Sequence, residues 1–277
     1  MLIRLQLWPV CALLLALSSH SIQAQEGDSG SSTDRLVRQV VERTNAERAA
    51  HGLPPLKLEE HLQQAASWLA RDMAAHNTFD HTDSKGRSID PRLPDFGYRH
   101  YHYIGENIAA GQNTPAGVVA GWMQSPGHRA NILSPHFREI GVGHAVNRAT
   151  TYKSYWVQDF GARFGVYPVV INGEAAESHS PNVRLYIYGS GWAEQMRLSN
   201  DGTHWTPWEP YRSQRDWTLE LGNGPRTVYV ELRNGDTILR SADSIELATQ
   251  AAEAPEGRRP ASRHKGSHRA QPHKPRP

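Results

Sequence analysis

The chain has 277 residues, 38% hydrophobic and 21% charged, which excludes collagen-like and wholly disordered classes and suits one large domain or two smaller ones. The net charge of +2 is unevenly spread: residues 257–277 carry seven Lys/Arg and no acid, residues 1–24 carry one Arg, and residues 25–256 are left at −6. An acidic body excludes a nucleic-acid footprint there, while the basic tail suits anionic envelope polymers or lipid headgroups, or plain solvation.

At the N-terminus, Arg4 precedes an apolar run, Leu5 to Leu17, that exits through Ile22-Gln23-Ala24. This is the pattern of a secretory signal cleaved after Ala24, placing the protein in the secreted or periplasmic space. The run is too short for an ordinary spanning helix, an uncleaved anchor being the alternative. The one cysteine, Cys11, lies inside the run, so the exported chain has no disulfide. No later stretch is long and apolar enough to span a membrane.

Residues 25–33 are Gly/Ser/Asp-rich and read as a flexible leader. Leu36, Val40, Val41 and Thr44 then share a helical face, and Leu62, Ala65, Ala66, Leu69, Ala70 and Met73 predict a second helix over about 60–76. Residues 77–112, rich in Gly, Pro, Tyr and His, read as irregular. Thr114-Pro115 and Ser125-Pro126 are helix starts, with a hydroxyl cap and Pro at the first helical position. Ile140–Val146 and Tyr155–Phe160 read as strands that pair antiparallel. Residues 34–165 thus form an α+β domain with most of its helices first.

Beyond Phe164 the alternation is strand-like: Val183/Leu185/Ile187, Met196/Leu198, Trp217/Leu219/Leu221, Val228/Val230/Leu232 and Ile245/Leu247. The turn signals Asn200-Asp201-Gly202, Asn223-Gly224 and Asn234-Gly235 separate them. Residues 166–249 therefore read as an antiparallel β-sandwich, loosely like fibronectin-III or immunoglobulin-like modules. Trp192, Trp205, Trp208 and Trp217 either fill its core, at least two of them doing so, or expose an aromatic strip to glycans. Residues 250–277 have no periodicity and read as a disordered basic tail, whose histidines could bind metal weakly.

Three side chains stand out chemically: His81, Glu106 in Gly105-Glu106-Asn107-Ile108, and His128 in the run Trp122 to Leu133. Two imidazoles and a carboxylate on separate elements are the groups of a divalent-metal or acid–base site. Their chain separation does not bring them together, and among 15 histidines chance pairs are common.

The order Asn45-Ala46-Glu47-Arg48, His81-Thr82, Gly105–Ile108, Trp122–Leu133, Ile140-Gly141-Val142-Gly143 and Tyr155–Gly161 resembles the CAP superfamily. This superfamily holds the cysteine-rich secretory proteins, antigen 5 and pathogenesis-related protein 1, and the likeness is to its cysteine-poor bacterial branch (SCP domain). The resemblance covers about 130 residues. It implies an α-β-α sandwich and an open cleft lined by two histidines and two glutamates. His81, Glu106 and His128 match three of the four. The remaining glutamate position holds Ser125, so the set is one carboxylate short. His81, Glu106 and His128 with a water would still make an open zinc site, or hold another divalent metal.

Ser125 reads as a helix cap before it reads as a nucleophile, since Met123 breaks the Gly-x-Ser-x-Gly pattern. His128, at the third helical position, should stay neutral beside the positive helix end. His76 ends the second helix or is a stray ligand. His100, Tyr101, His102 and Tyr103 rim a cleft or form a solvated loop. Trp122 and Trp156 read as core, and Asn131, Gln158 and Asp159 as structural hydrogen-bonding groups.

The first functional expectation is a non-enzymatic, exported binding module of the envelope or extracellular space. Its His81/Glu106/Ser125/His128 cleft would take a small ligand, a lipid or a glycan, with or without a divalent metal. The alternatives are a metal-assisted hydrolase or peptidase using the same cleft, and an adhesion module acting through the β-sandwich.

Overall fold

The computed structural model describes residues 27–249, with side chains from Asp34 onward. The expected signal segment at 1–24 and the basic tail at 250–277 lie outside the described residues.

Helix α1 spans Gly27–Ala50, so it takes in most of the segment expected as a flexible leader. Once a helix is formed, each added residue gains a hydrogen bond at little nucleation cost, so weak formers extend it. β1 (Lys57–Leu58) leads into α2 (Glu60–His76). Glu59 caps α2 by accepting from Leu62 N, and the chain leaves through Asn77 in the left-handed conformation, φ 51°. A short helix α3 (Ile89–Arg92) and a 3-10 turn (Leu93–Phe96) follow.

The segment expected to be irregular then holds a ten-residue strand, β2 (Tyr101–Ala110). Alternation does not reveal it because Glu106, Asn107, Ile108 and Ala109 are all buried, polar groups included. Helices α4 (Pro115–Gln124) and α5 (Pro126–Ile132) start at the expected prolines. Strands β3 (Glu139–Val146) and β4 (Ser154–Arg163) pair antiparallel as expected.

The first sheet has the order β1-β3-β4-β2. On one face Val37, Val40 and Val41 of α1, with Trp122 and Ile132, pack on Ile140, Val142, Trp156 and Phe160. On the other, Ala66, Leu69 and Met73 of α2 pack on Ile108, Tyr155 and Val157. The result is a helix–sheet–helix arrangement. Gly141 and Gly143 set its thickness: a Cβ on either would stand 2.1–2.2 Å from the α2 backbone.

Residues 169–247 form two further sheets. One has the order β10-β7-β5, from β5 (Val169–Ile171), β7 (Asn182–Ile187) and β10 (Gln214–Thr218). The other has the order β6-β12-β11-β8-β9, from β6 (Glu177–Ser178), β8 (Gln195–Ser199), β9 (Glu209–Pro210), β11 (Gly224–Asn234) and β12 (Thr237–Leu247). Val183, Leu185 and Ile187 share one buried cluster with Met196, Leu198, Val228, Val230 and Leu232. The second sheet is not wholly antiparallel, since β6 pairs parallel with β12. The Asn234-Gly235 signal does close a hairpin, with Asn234 opposite Thr237 and Gly235 at φ 53°. Leu221, expected on a strand face, is 74% exposed because β10 ends at Thr218.

The four tryptophans of this region divide evenly. Trp192 and Trp217 pack against the buried cluster. Trp205 and Trp208 instead lie in a ladder on the outer face, in the order Arg240, Trp205, Arg197, Trp208, Arg233, each guanidinium 4.5–5.0 Å from a ring centroid. Each of these two rings has two arginine partners, so neither offers the open strip that glycan stacking would need.

The two parts meet through specific bonds. Lys57 Nζ lies 2.7 Å from Glu174 Oε1 and 2.5 Å from Asp243 Oδ1. Asn45 Nδ2 donates to Gly173 O at 2.9 Å, and Tyr188 OH donates to Pro55 O at 3.0 Å.

Candidate functional site

The site forms around β2, which is an edge strand. Its outward carbonyls are not free: Asn131 Nδ2 donates to Glu106 O at 3.1 Å, and Trp122 Nε1 to Ile108 O at 3.2 Å. Both residues belong to the Trp122–Leu133 run, so one task of that run is to close this edge. Asn107 is fully buried and donates to the carbonyl of His128 at 3.1 Å, which ties α5 to the strand.

The loop after α2 delivers His81. Asp72 accepts from Ser84 N at 2.8 Å, and Asp83 accepts from Lys85 N and Arg87 N at 2.9 Å each. His76 ends α2 with Nδ1 2.9 Å from Asp72 O, away from any ligand role. So fastened, the loop sets His81 Nδ1 2.7 Å from Glu106 Oε1 while 53% of the His81 side chain stays exposed.

Glu106 itself is buried, and its other oxygen is taken. Arg92, carried inward by α3 and wholly buried, donates through one terminal nitrogen to Glu106 Oε2. Its other terminal nitrogen lies 3.3 Å from the carbonyl of His81. Arg92 thus touches the carboxylate and also the backbone of the histidine that the carboxylate holds.

A second carboxyl group does stand at the site, at Asp159 rather than at Ser125. Asp159 is opposite Glu106 in the β2–β4 register and is fully buried. Among the described residues no hydrogen-bond partner reaches either of its oxygens. Burial, reinforced by the neighbouring Glu106 charge, pushes its carboxyl well above the usual range. The hydrogen bond to Glu106 raises the His81 imidazole above its ordinary value. Burial, with His81 nearby, lowers that of His128. This shift favours the neutral His128 ring, and its chief cause is desolvation rather than the helix end.

Ser125 occupies the cap position of α5, yet its hydroxyl makes no capping hydrogen bond, and Pro126 sets the first turn instead. Tyr101 and His100–Tyr103 belong to the start of β2 and its approach, not to a free loop. Tyr101 stacks on Tyr98, and Tyr103 on His136.

These placements bear on the expected metal. Among the described residues no three His, Cys, Asp or Glu side chains are grouped to hold an ion. Glu106 has spent one oxygen on His81 Nδ1 and the other on a guanidinium, so the set as placed does not fit zinc. Sequence reasoning missed Arg92 altogether, for nothing in Pro91-Arg92-Leu93-Pro94 marks it. Asp159, expected as a structural hydrogen-bonding group, instead has no hydrogen-bond partner among the described residues, because strand register buries it beside Glu106.

Residues 41–160 match the family model described as the cysteine-rich secretory protein family, CAP. Two curated relatives come from Bacillus subtilis (strain 168). The uncharacterized protein YkwD is 44% identical over 130 residues, covering 47% of this chain and 48% of its own. The uncharacterized membrane protein YlbC is 32% identical over 123 residues, covering 44% of this chain and 33% of its own. This chain therefore spans about half or less of the relatives it matches. An SCP-domain extracellular protein from Bacillus anthracis str. Ames is a structural neighbour, 28% identical, with 47% of this chain and 41% of that one covered and a TM-score of 0.43. Residues 41–160, with no cysteine among them, are a domain of the CAP family.

Proposed function

We propose that this protein is an exported ligand-binding module whose CAP cleft presents His81 and His128 to a small polar, uncharged ligand. The carrying observation is the closed charge balance behind those rings. Glu106 and Arg92 neutralise each other in a buried pair, and burial shifts the carboxyl of Asp159 beside them toward its neutral form. With both oxygens engaged, Glu106 is not free to recruit an ion, while two imidazole edges remain for hydrogen bonds. Residues 166–249 act in this reading as an immunoglobulin-like sandwich fixed to the cleft domain, with its outer tryptophans clamped. The signal-like segment supports export, and no helix among the described residues is long and apolar enough to cross a membrane.

The metal-assisted hydrolase remains the rival reading, and one experiment separates the two. Native mass spectrometry is run on protein purified from its own host, beside a His81→Ala/His128→Ala variant. An organic adduct on the first and absent from the second supports the binding module. A zinc-sized adduct with that dependence would overturn the metal-free cleft, and two unliganded spectra would reduce the domain to a scaffold.

A further inference from the structure

The first sheet has a second edge, β1, on the side opposite β2, and a groove opens beside it. Its volume is about 680 Å³, within the range of small-ligand sites. Asp34 and Arg38 of α1, Glu60, Gln63, Ser67 and Arg71 of α2, and Ala242 to Ser244 of β12 line it. The buried charges of the groove are already satisfied. Lys57 Nζ sits 2.7 Å from Glu174 and 2.5 Å from Asp243, and Asp243 also accepts from Ile171 N and Ser244 N, each at 2.7 Å. The outer charges are not satisfied. Asp34 and Arg38 stand four apart on α1, the spacing at which opposite charges on a helix meet, yet they form no ion pair. Glu60 and Arg71 also have no ion-pair partner among the described residues, and Glu60 holds only the Gln64 amide, at 3.0 Å. Both signs of charge therefore face the groove uncompensated.

Their order along α2 selects the ligand. Glu60, Gln63, Ser67 and Arg71 recur at three- and four-residue steps, so they share one face of the helix. The stripe starts with an anion, passes through two groups that each donate and accept, and ends with a cation. Eleven residues at a rise of about 1.5 Å set the Glu60 and Arg71 backbones about 16 Å apart. An extended chain of about five residues, at roughly 3.3 Å each, covers the same distance. An acyl chain would find only Leu58 and Ala242 as apolar lining. A polyanion would be repelled by Asp34, Glu60 and Asp243, and a polycation by Arg38, Lys57 and Arg71. A peptide with free ends meets none of these obstacles, since its ammonium, its amides and its carboxylate match the stripe in turn.

We propose that this groove is a second binding site, separate from the His81 cleft, for a short extended peptide of about five residues with free ends, its ammonium at Glu60 and its carboxylate at Arg71. Because β12 borders the groove, the bound peptide would touch both parts of the chain.

The test is calorimetric titration of the full chain with pentaalanine. The free peptide should bind at least about ten-fold more tightly than its N-acetylated, C-amidated form, which has lost the charge-assisted hydrogen bonds of both ends. Dialanine, too short to reach both ends, should also bind about ten-fold more weakly. Arg71→Gln should weaken free pentaalanine about ten-fold and leave its C-terminal amide unaffected, and Glu60→Gln should discriminate in the same way between the free and N-acetylated forms. Both side chains are exposed, so the melting temperature should hold. His81→Ala should leave the affinity unchanged, and loss of binding in that variant would move the peptide to the cleft and overturn the groove site. Equal affinity for free and capped pentaalanine, or no binding up to about 10 mM peptide, would overturn it as well.

Discussion

Arg92 and Glu106 form a wholly internal ion pair, fourteen residues apart in the chain, directly behind the exposed ring of His81. The guanidinium stands where a cation would otherwise neutralise this carboxylate, and it supports the His81 loop through the His81 carbonyl. The surroundings of His81 are therefore built on a charge balance that the chain supplies from within itself.

Removing one partner should expose the cost of that burial. Arg92→Met leaves Glu106 buried beside Asp159 without its counter-charge, and the expected loss is about 3–5 kcal/mol in urea unfolding. Arg92→Met/Glu106→Gln should be less destabilised than Arg92→Met, since no buried charge is left alone. Arg92→Met within about 0.5 kcal/mol of the parent would show that the pair does not carry this load.

His81 and His128 should titrate on opposite sides of their ordinary value. His81 is raised chiefly by its hydrogen bond to Glu106, and His128 is lowered chiefly by burial. A raised folded value means the His81–Glu106 contribution is complete below the unfolded value of about 6.5 and is lost as pH rises through the folded one. Ring-proton NMR titration should give midpoints in that order, and Glu106→Gln should draw the His81 midpoint down. A His81 midpoint at or below that of His128 would refute the arrangement.

Glu174 predicts a pH dependence of the contact between the two parts. It is 6% exposed, sits at φ 69°, and burial pushes its carboxyl up to about 7, with Asp243 adding to the shift and Lys57 opposing it. Asp34 and Arg38 of α1 and Glu60 and Arg71 of α2 line the same groove. Because the folded value exceeds the unfolded one, Glu174 favours the folded state most at low pH, and that advantage fades as pH rises from about 4.5 to about 7. Glu174→Gln should therefore melt a few degrees above the parent at pH 8 and level with it at pH 4. A difference that is the same at both values would assign the effect to something other than this carboxyl.

Close packing of α2 on β3 should make the two strand glycines intolerant of any side chain. A Cβ at Gly143 would stand 2.2 Å from the Ala66 carbonyl oxygen, so Gly143→Ala should cost about 3 kcal/mol or more. Gly127 in α5 meets nothing within 4 Å, and Gly127→Ala should be neutral or stabilising by up to about 1 kcal/mol. Thermal melts of the two variants give the comparison, and similar melting temperatures would contradict it.

Local order was legible in the residues themselves. The Leu62–Met73 stripe, the Thr114-Pro115 and Ser125-Pro126 starts and the paired strands of the Gly141 and Tyr155 runs all follow from patterns a few residues long, whereas His81, Glu106 and His128 stand out only by residue type and by the family resemblance. Such patterns are set by helix and strand geometry, which repeats at short range. What lay beyond them is long-range and polar. β2 hides because both of its faces are buried, Glu106 lying on one and Asn107 on the other. Arg92 reaches Glu106 only because α3 turns inward, and Asp159 meets it only through strand register. Lys57 finds Asp243 across 186 residues of chain. Burying a charge is favourable only where a partner waits, and which partner waits is decided by tertiary packing, since no local period encodes it.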